Sequence, residues 1–152
     1  MRIAIGNDHR GIDYKEAVLK ILIKAGHEHK DFGTNTADAV DYPDIAGEVG
    51  NAVVKGDVNY GILICGTGIG MCISANKIKG IRAAMCRNVF DATRARQHNN
   101  ANILCLGAEY GLDDVADMVN TFLTTDFEGG RHQSRIDKIK AMEDQGGNND
   151  RL

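Results

Sequence analysis

Residues 60–70 read YGILICGTGIG, and this stretch joins a predicted strand to a glycine-rich loop and the start of a helix. Its apolar run Ile62–Ile64 is typical of a strand that is buried on both faces of a parallel sheet. Three glycines at alternating positions end the strand, and residues 71–77 are consistent with a helix. Such a loop presents consecutive backbone N–H groups to an anion. The same positive potential favours a thiolate at Cys65, where the strand ends.

Further strand and helix patterns alternate along the chain. Strand patterns fall at 2–7, 27–32, 60–65, 81–86 and 102–106. Helical patterns fall at 12–25, 43–55, 71–77, 89–98, 113–123 and 131–143. Because strands recur roughly every 20 to 35 residues without a break in composition, we expect one doubly wound, five-stranded parallel sheet with helices on both faces. The predicted domain covers residues 1–144, and a polar, frayed tail covers 145–152.

Composition narrows the class of protein. The 152 residues are 43% hydrophobic and 26% charged, which suits one soluble globular domain. No apolar run approaches the roughly 20 residues of a membrane helix, and a strand pattern begins directly after Met1, so we expect neither a membrane span nor a signal peptide. A formal charge of −3 argues against nucleic acid as a partner. The cysteines form no C-x-x-C pair, which favours reduced cytoplasmic thiols over a zinc site: Cys65, Cys72, Cys86 and Cys105.

Polar residues and glycines follow two of the predicted strands directly. Asp8 and His9 come after the first strand, and a loop comes after the third: Gly66, Thr67, Gly68, Ile69 and Gly70. In doubly wound sheets, ligands bind beyond the carboxyl ends of the strands, where the strand order reverses. We therefore expect these residues and Cys65 to share one cleft.

Each of these features also has a purely structural interpretation. The loop matches neither G-x-G-x-x-G, because its third glycine comes one position early, nor a P-loop, and it fits a flexible turn. Cys65, taken alone, is more often a buried strand residue than a nucleophile or base. Asp8 fits the N-cap of the following helix.

Two groups of basic residues lie further along the chain. His98 comes at the end of a predicted helix, where a protonated histidine complements the helix dipole, and alone it needs no other explanation. Arg131 and Arg135 are four residues apart and project from one face of the last helix. They fit a clamp for a phosphate dianion, or a solvated basic face that continues to Lys138 and Lys140.

Seven linked motifs occur in an order that is specific to one family. They are Asn7-Asp8-His9, Asp41-Tyr42-Pro43, residues 65–70, Ala75-Asn76-Lys77, Gly80-Ile81-Arg82-Ala83, Arg96-Gln97-His98-Asn99 and Glu128-Gly129-Gly130-Arg131-His132. Over residues 1–143 the chain closely resembles the type B ribose-5-phosphate isomerases, whose family also holds galactose-6-phosphate isomerase subunits. The resemblance implies a flavodoxin-like (Rossmann-like) sheet and a homodimer with interfacial active sites, sometimes paired into tetramers. It also implies interconversion of ribose 5-phosphate and ribulose 5-phosphate through an enediolate, without metal or cofactor.

The resemblance further implies a role for each candidate residue. Cys65 is the base that moves a proton between C1 and C2, and residues 66–70 stabilise the enediolate, with assistance from Thr67. His98 of a second subunit opens the furanose ring, and Asp8 contacts the ring oxygen and hydroxyl groups. The phosphate-binding set is His9, Arg131 and Arg135, and the sugar is lined by Tyr42 and Asn99.

One residue departs from the family pattern. Many relatives have an arginine near the phosphate at the position of Glu109. Since a carboxylate cannot attract a phosphate, either the clamp is complete without this residue or the affinity is weaker. We leave Glu109 outside the predicted site.

Three rival functions remain open at this point. The same chemistry on a longer sugar, such as allose or galactose 6-phosphate, differs only in the length of the cleft. A flavodoxin-like nucleotide or flavin binder is disfavoured because four Phe, four Tyr and no Trp offer few rings for stacking. A thiol redox function of Cys65 and Cys72 is disfavoured by the six residues that separate them.

Overall fold

A computed structural model describes residues 1–146 and shows five strands in one sheet. The strands are β1 (Arg2–Asn7), β2 (Glu28–Asp31), β3 (Tyr60–Cys65), β4 (Ala83–Met85) and β5 (Ile103–Gly107). The helices are α1 (Ile12–Lys24), α2 (Tyr42–Val54), α3 (Ile69–Ala75), α4 (Val89–Asn99), α5 (Val115–Thr124) and α6 (Arg131–Gly146), with a 3-10 turn at Ala108–Tyr110. All four strand pairings are parallel, so the predicted five-stranded parallel sheet is confirmed.

The central strand β3 explains why helices cover both faces. Ile62 and Ile64 belong to one core, which also contains buried side chains of α1, α4 and α5. Leu63 and Cys65 belong to the other core, with buried side chains of α2 and α3. Successive side chains of a strand point to opposite faces, so a strand between two helical layers must be apolar at every position. The doubly wound arrangement is therefore confirmed.

The strand order is β2-β1-β3-β5-β4. It differs from the flavodoxin order 2-1-3-4-5 in that β5 lies beside β3 and β4 takes the edge. All five residues of β5 are buried, as a central position requires, whereas the three residues of β4 are only partly buried. The pattern at 81–86 predicts a longer strand than the edge supports.

The bounds of the first strand match the prediction, whereas those of the last helix do not. The first strand has the predicted bounds, while α6 extends three residues beyond the predicted Glu143. Of the predicted tail, Gln145 and Gly146 are thus helical, and residues 147–152 lie outside the described residues. Within residues 1–146, no helix combines the length and apolar character needed to cross a bilayer.

Strands β1 and β3 are neighbours from which the chain departs toward opposite edges of the sheet. This is the point where the strand order reverses, and doubly wound sheets generally bind ligands between the carboxyl ends of the two strands at such a point. The N–H of Asp8 donates to the carbonyl of Ile64 at 3.2 Å. The segments that follow β1 and β3 are therefore adjacent, as the sequence predicts.

Candidate active site

Cys65 is the last residue of β3 and is 5% exposed. Its Sγ accepts a hydrogen bond from the backbone N–H of Gly68 at 3.2 Å. Gly68 has a φ of 77°, in the left-handed region that favours glycine. A Cβ at this position would also lie 3.0 Å from the carbonyl carbon of Leu106. Glycine is therefore required here to turn the loop so that an N–H group faces the sulfur.

The rest of the loop is held by short-range contacts. Oγ1 of Thr67 accepts a hydrogen bond from the N–H of Ile69 at 3.3 Å. A Cβ on Gly70 would lie 2.7 Å from the ring of Tyr42, so this ring packs directly on the loop. The predicted sugar-lining tyrosine is thus beside the loop. Because α3 has only seven residues, the loop N–H groups, rather than a long helix dipole, define the electrostatics here.

Asp8 and His9 lie in the turn between β1 and α1. Asp8 is 4% exposed, and its Oδ1 accepts a hydrogen bond from the N–H of Arg10 at 3.0 Å. The N-cap of α1 is Gly11, so the alternative role of Asp8 as the helix cap is wrong. Nδ1 of His9 lies 3.3 Å from the N–H of Val40 and accepts from it, which leaves Nε2 as the donor of the neutral ring.

Arg10 and Glu109 also lie against the loop. Nη2 of Arg10 is 2.7 Å from Oε1 of Glu109, and a Cβ on Gly66 would lie 2.7 Å from the same carboxylate oxygen. The sequence prediction left Glu109 outside the site and did not single out Arg10. The position of Arg10 directly after Asp8 and His9 is the sequence feature that could have placed it near the loop. Because Arg10 offsets the charge of Glu109, the carboxylate does not stand alone beside the loop.

His98 lies in the last turn of α4, and the C-cap of this helix, Asn100, has a φ of 45°. This helix returns from the carboxyl ends of the strands to their amino ends, where β5 begins. The side chain of Arg96, two residues earlier, donates to the hydroxyl of Tyr60 at the first residue of β3, at 3.0 Å. His98 therefore lies near the amino ends of the strands and Cys65 at their carboxyl ends. The two residues are separated by the length of β3, roughly 17 Å.

The ring of His98 stacks on the ring of His132, with centroids 4.2 Å apart and 14° between the planes. Oε2 of Glu128 lies 3.9 Å from Nε2 of His98 and 3.5 Å from Nε2 of His132. His132 is buried, and its Nε2 has no hydrogen-bond partner among the described residues. Burial, followed by the positive charges of His98 and two arginines, lowers the pKa of His132. The sequence prediction missed Glu128 and His132 as neighbours of His98, although both occur in the motif at 128–132.

Arg131 and Arg135 lie in the first two turns of α6, near the amino ends of the strands, as His98 does. Both are exposed, and Nη1 of Arg135 is 3.5 Å from Nδ1 of His132. Asn99, the last residue of α4, is exposed, and its carbonyl accepts a hydrogen bond from Nε of Arg82 at 3.1 Å.

The candidate residues therefore form two groups on one chain. The loop half lies at the carboxyl ends of the strands and contains Asp8, His9, Tyr42 and residues 65–70. The arginine half lies at the amino ends of the strands and contains His98, Asn99, Arg131 and Arg135. The segments that carry Asp8, His9 and Cys65 are adjacent, as the sequence predicts, but one chain does not bring the two halves together.

One cluster in the described chain has the composition of a metal site. The ligand atoms of His98, Glu128 and His132 lie within 4.8 Å of one another. The two imidazole planes are nearly parallel, so their Nε2 lone pairs run side by side instead of converging on one ion. Nη1 of Arg94 is also 3.3 Å from Nε2 of His98 and would repel a cation. We assign no metal to this cluster.

The remaining cysteines separate into one accessible and two inaccessible thiols. Cys72 is half-buried, and a hydrogen bond with the thiol of Cys105 lowers its pKa to about 7. Burial raises the pKa of Cys86 to about 12 and that of Cys105 well above its usual value. The thiol of Cys72 donates to the carbonyl of Ala83 at 3.4 Å, whereas Sγ of Cys65 accepts from the N–H of Gly68. Each thiol therefore has its own partner within the described residues, and the geometry gives no support to a redox pair of Cys65 and Cys72.

Comparison with known proteins extends over almost the whole chain. Ribose-5-phosphate isomerase B of Escherichia coli (strain K12) is 43% identical over 143 residues, covering 93% of this chain and 96% of that protein. The structure of ribose-5-phosphate isomerase B from Clostridium thermocellum is similar with a TM-score of 0.93 and 48% identity, covering 95% of this chain and 99% of that one. The enzyme of the same name from Mycoplasma genitalium, with bound ribulose-5-phosphate, gives 0.89 and 44%, covering 95% and 97%.

The sequence profile of the family described as Ribose/Galactose Isomerase matches residues 3–139. This range contains both halves of the candidate site and the whole sheet except Arg2, the first residue of β1. From its sequence and its fold together, the chain belongs to the ribose/galactose isomerase family.

Proposed function

We propose that this protein interconverts ribose 5-phosphate and ribulose 5-phosphate by proton transfer between C1 and C2. The observation that carries the proposal is the thiol of Cys65, which faces the N–H of Gly68 in a glycine loop at the reversal point of the sheet. Relatives that share this fold at 43% to 48% identity are ribose-5-phosphate isomerases. One of them has been solved with ribulose-5-phosphate bound.

The chemistry requires a base and a site for negative charge. A proton on the carbon next to a carbonyl is weakly acidic, so its removal needs a base and donors aimed at the developing oxyanion. The Cys65 thiolate takes the proton from C2 of the open-chain aldose, and the electron pair moves to the C1 oxygen. Loop N–H groups bind this enediolate, and the Thr67 hydroxyl assists proton movement between its oxygens. Return of the proton to C1 gives the ketose.

Ring opening is a separate acid–base step on the other side of the sugar. Ribose 5-phosphate enters as a furanose, whose anomeric hydroxyl must lose a proton while the ring oxygen gains one. His98 takes the first proton, since the unprotonated nitrogen of a neutral imidazole can accept one. Asp8 contacts the ring oxygen and the neighbouring hydroxyl groups from the loop half.

The two halves of the site imply a dimer. A twofold axis would place the arginine half of one copy over the loop half of the other and complete two identical sites. In this arrangement Arg131, Arg135 and His9 bind the phosphate, while Tyr42 and Asn99 line the sugar. Four free thiols suit the reducing cytoplasm, which is the compartment that we propose.

A hexose 6-phosphate is the second candidate substrate, because the matched family includes galactose isomerases. The test compares kcat/KM for ribose 5-phosphate, allose 6-phosphate and galactose 6-phosphate on the purified protein. We expect ribose 5-phosphate to exceed both hexose phosphates by about tenfold or more, in line with the discrimination that one additional carbon group allows. A higher value for either hexose phosphate would assign the protein to that sugar, and Cys65→Ala serves as the inactive control for all three.

A further inference from the structure

Arg10 and Glu109 form an ion pair directly over the glycine loop. Nη2 of Arg10 is 2.7 Å from Oε1 of Glu109, and the side chains are 61% and 49% exposed. A Cβ added to Gly66 would meet Oε1 of Glu109 at 2.7 Å and Nε of Arg10 at 3.3 Å. The pair thus lies against the residue that follows Cys65, and both side chains remain partly exposed to solvent.

Both residues are attached to the loop half by their backbones as well. The N–H of Arg10 donates to Oδ1 of Asp8 at 3.0 Å, and the N–H of Glu109 donates to the carbonyl of Gly66 at 2.9 Å. Most exposed ion pairs have no such attachment and contribute little. These contacts fix the two backbones relative to the loop, and the ion pair with Glu109 then restrains the guanidinium.

We propose that Arg10 is a phosphate-binding residue of the loop half and that Glu109 holds its guanidinium in place. The inference rests on the proposed function, since it assigns a contact to the phosphate of that substrate. A guanidinium has five N–H donors in a planar fork, and Glu109 engages only one edge of it. Within residues 1–146 the remaining donors have no other partner, so they can bind phosphate oxygens with two parallel hydrogen bonds.

This assignment has a consequence for assembly of the site. Arg131 and Arg135 belong to the arginine half, whereas Arg10 belongs to the loop half. A phosphate held by arginines from both halves joins the two copies at the moment of binding. The affinity for phosphate therefore depends on Arg10 even when the arginine half is intact.

The test uses the full-length protein and two readouts, KM for ribose 5-phosphate and the dissociation constant of inorganic phosphate by calorimetry. For Arg10→Ala we expect both constants to rise about tenfold, the lower end for a hydrogen bond to a charged group, because the site is partly exposed. Arg10→Lys should recover part of the loss, since a lysine cannot form the planar fork. Glu109→Gln should keep the constants at or below those of the wild type, because the amide oxygen still accepts a hydrogen bond from the guanidinium while the negative charge beside the phosphate is removed.

The double variant Arg10→Ala/Glu109→Gln separates direct contact from neutralisation. If Arg10 binds the phosphate, the double variant keeps most of the tenfold loss. If it regains wild-type constants, Arg10 only offsets Glu109, and the proposal is overturned. Unchanged constants in Arg10→Ala, with a fall in Tm alone, would overturn it equally.

A matched control is the pair of Arg2 and Glu28, which are 3.3 Å apart, 58% and 75% exposed, and far from the loop half. Arg2→Ala should leave both constants unchanged. The calorimetric readout needs no turnover, so the two proposals fail separately. A wild-type protein that isomerises no sugar phosphate removes the proposed function, while a tenfold loss of phosphate affinity in Arg10→Ala still supports the anion site.

Discussion

Cys65 lies at the carboxyl ends of the strands and His98 near their amino ends, so the two are separated by the six residues of β3. Strand geometry makes this separation roughly 17 Å, which is more than one sugar can span between a base and a ring-opening histidine. The two residues therefore act on one substrate only if they come from different copies. This relationship gives the most direct test of the proposed dimer.

Mixing two inactive variants should restore activity. Cys65→Ala and His98→Asn homodimers are unfolded together and refolded, so that half of the dimers contain one chain of each kind. One site of each mixed dimer then has both Cys65 and His98, and we expect about a quarter of wild-type activity. The rate of ribulose 5-phosphate formation measures the recovery. No recovery, with mixed dimers verified by native mass spectrometry, would place both residues in one chain.

Replacement of Cys65 by alanine should abolish catalysis and leave the fold intact. Loss of a general base costs about 10²–10⁴-fold in turnover. The measurement is kcat for ribose 5-phosphate, with circular dichroism as the check on folding. Cys105→Ala, which removes a fully buried thiol from the same core, should lower stability but keep turnover. Near wild-type turnover in Cys65→Ala would remove this residue from the mechanism.

Alkylation should distinguish the two thiols of interest. Cys72 is half-buried and its pKa is lowered to about 7, so iodoacetamide should modify it readily near neutral pH. Substrate should not protect Cys72, because it lies outside both halves of the site. In a Cys72→Ala background, the remaining inactivation should follow Cys65, and ribose 5-phosphate should slow it. Mass spectrometry of the labelled peptides reads both reactions, and protection of Cys72 instead of Cys65 would contradict the assignment.

The two arginines of α6 should act through the phosphate. If each binds the dianion, it contributes roughly 1.5–3 kcal/mol, so either alanine variant should lose about ten- to a hundredfold in kcat/KM. The loss should nearly vanish for unphosphorylated ribose. Lys138→Ala and Lys140→Ala, on exposed positions of the same helix, should change little. Four variants with equal losses would mean that this face is only a solvated basic surface.

The stability of the protein should fall as the pH is lowered past the ordinary range of histidine. The pKa of His132 is lowered from 6.5 in the folded chain, mainly by burial, and Glu128 only partly opposes this. Below about pH 6.5 the unfolded chain therefore binds a proton that the folded chain resists, and the free energy of unfolding decreases. His132→Gln should flatten this dependence in urea titrations at pH 7.5 and 5.5. His29→Gln, on an exposed strand position, is the control, and an equal slope in both variants would exclude His132 as the source.

The order of elements could be predicted because parallel strands are buried on both faces. Such strands, β1, β3 and β5 among them, appear as short apolar runs, and glycines end several of the helices between them. The adjacency of Asp8 and Cys65 also followed, since both come directly after strands that meet at one edge. The edge strand β4 was predicted too long because apolar character at 81–86 reflects packing of the flanking residues as well as sheet pairing.

The sequence by itself determined the strand–helix rhythm, the residue types of the site and, through its linked motifs, the family. Only the tertiary structure decided that β5 precedes β4 in the sheet, that His98 lies opposite Cys65, and that Arg10 pairs with Glu109. These features join residues far apart in the chain, such as 10 and 109, and local pattern carries no information about such pairs. Strand pairing and helix packing bring them together, because the burial of both sheet faces selects one order of strands.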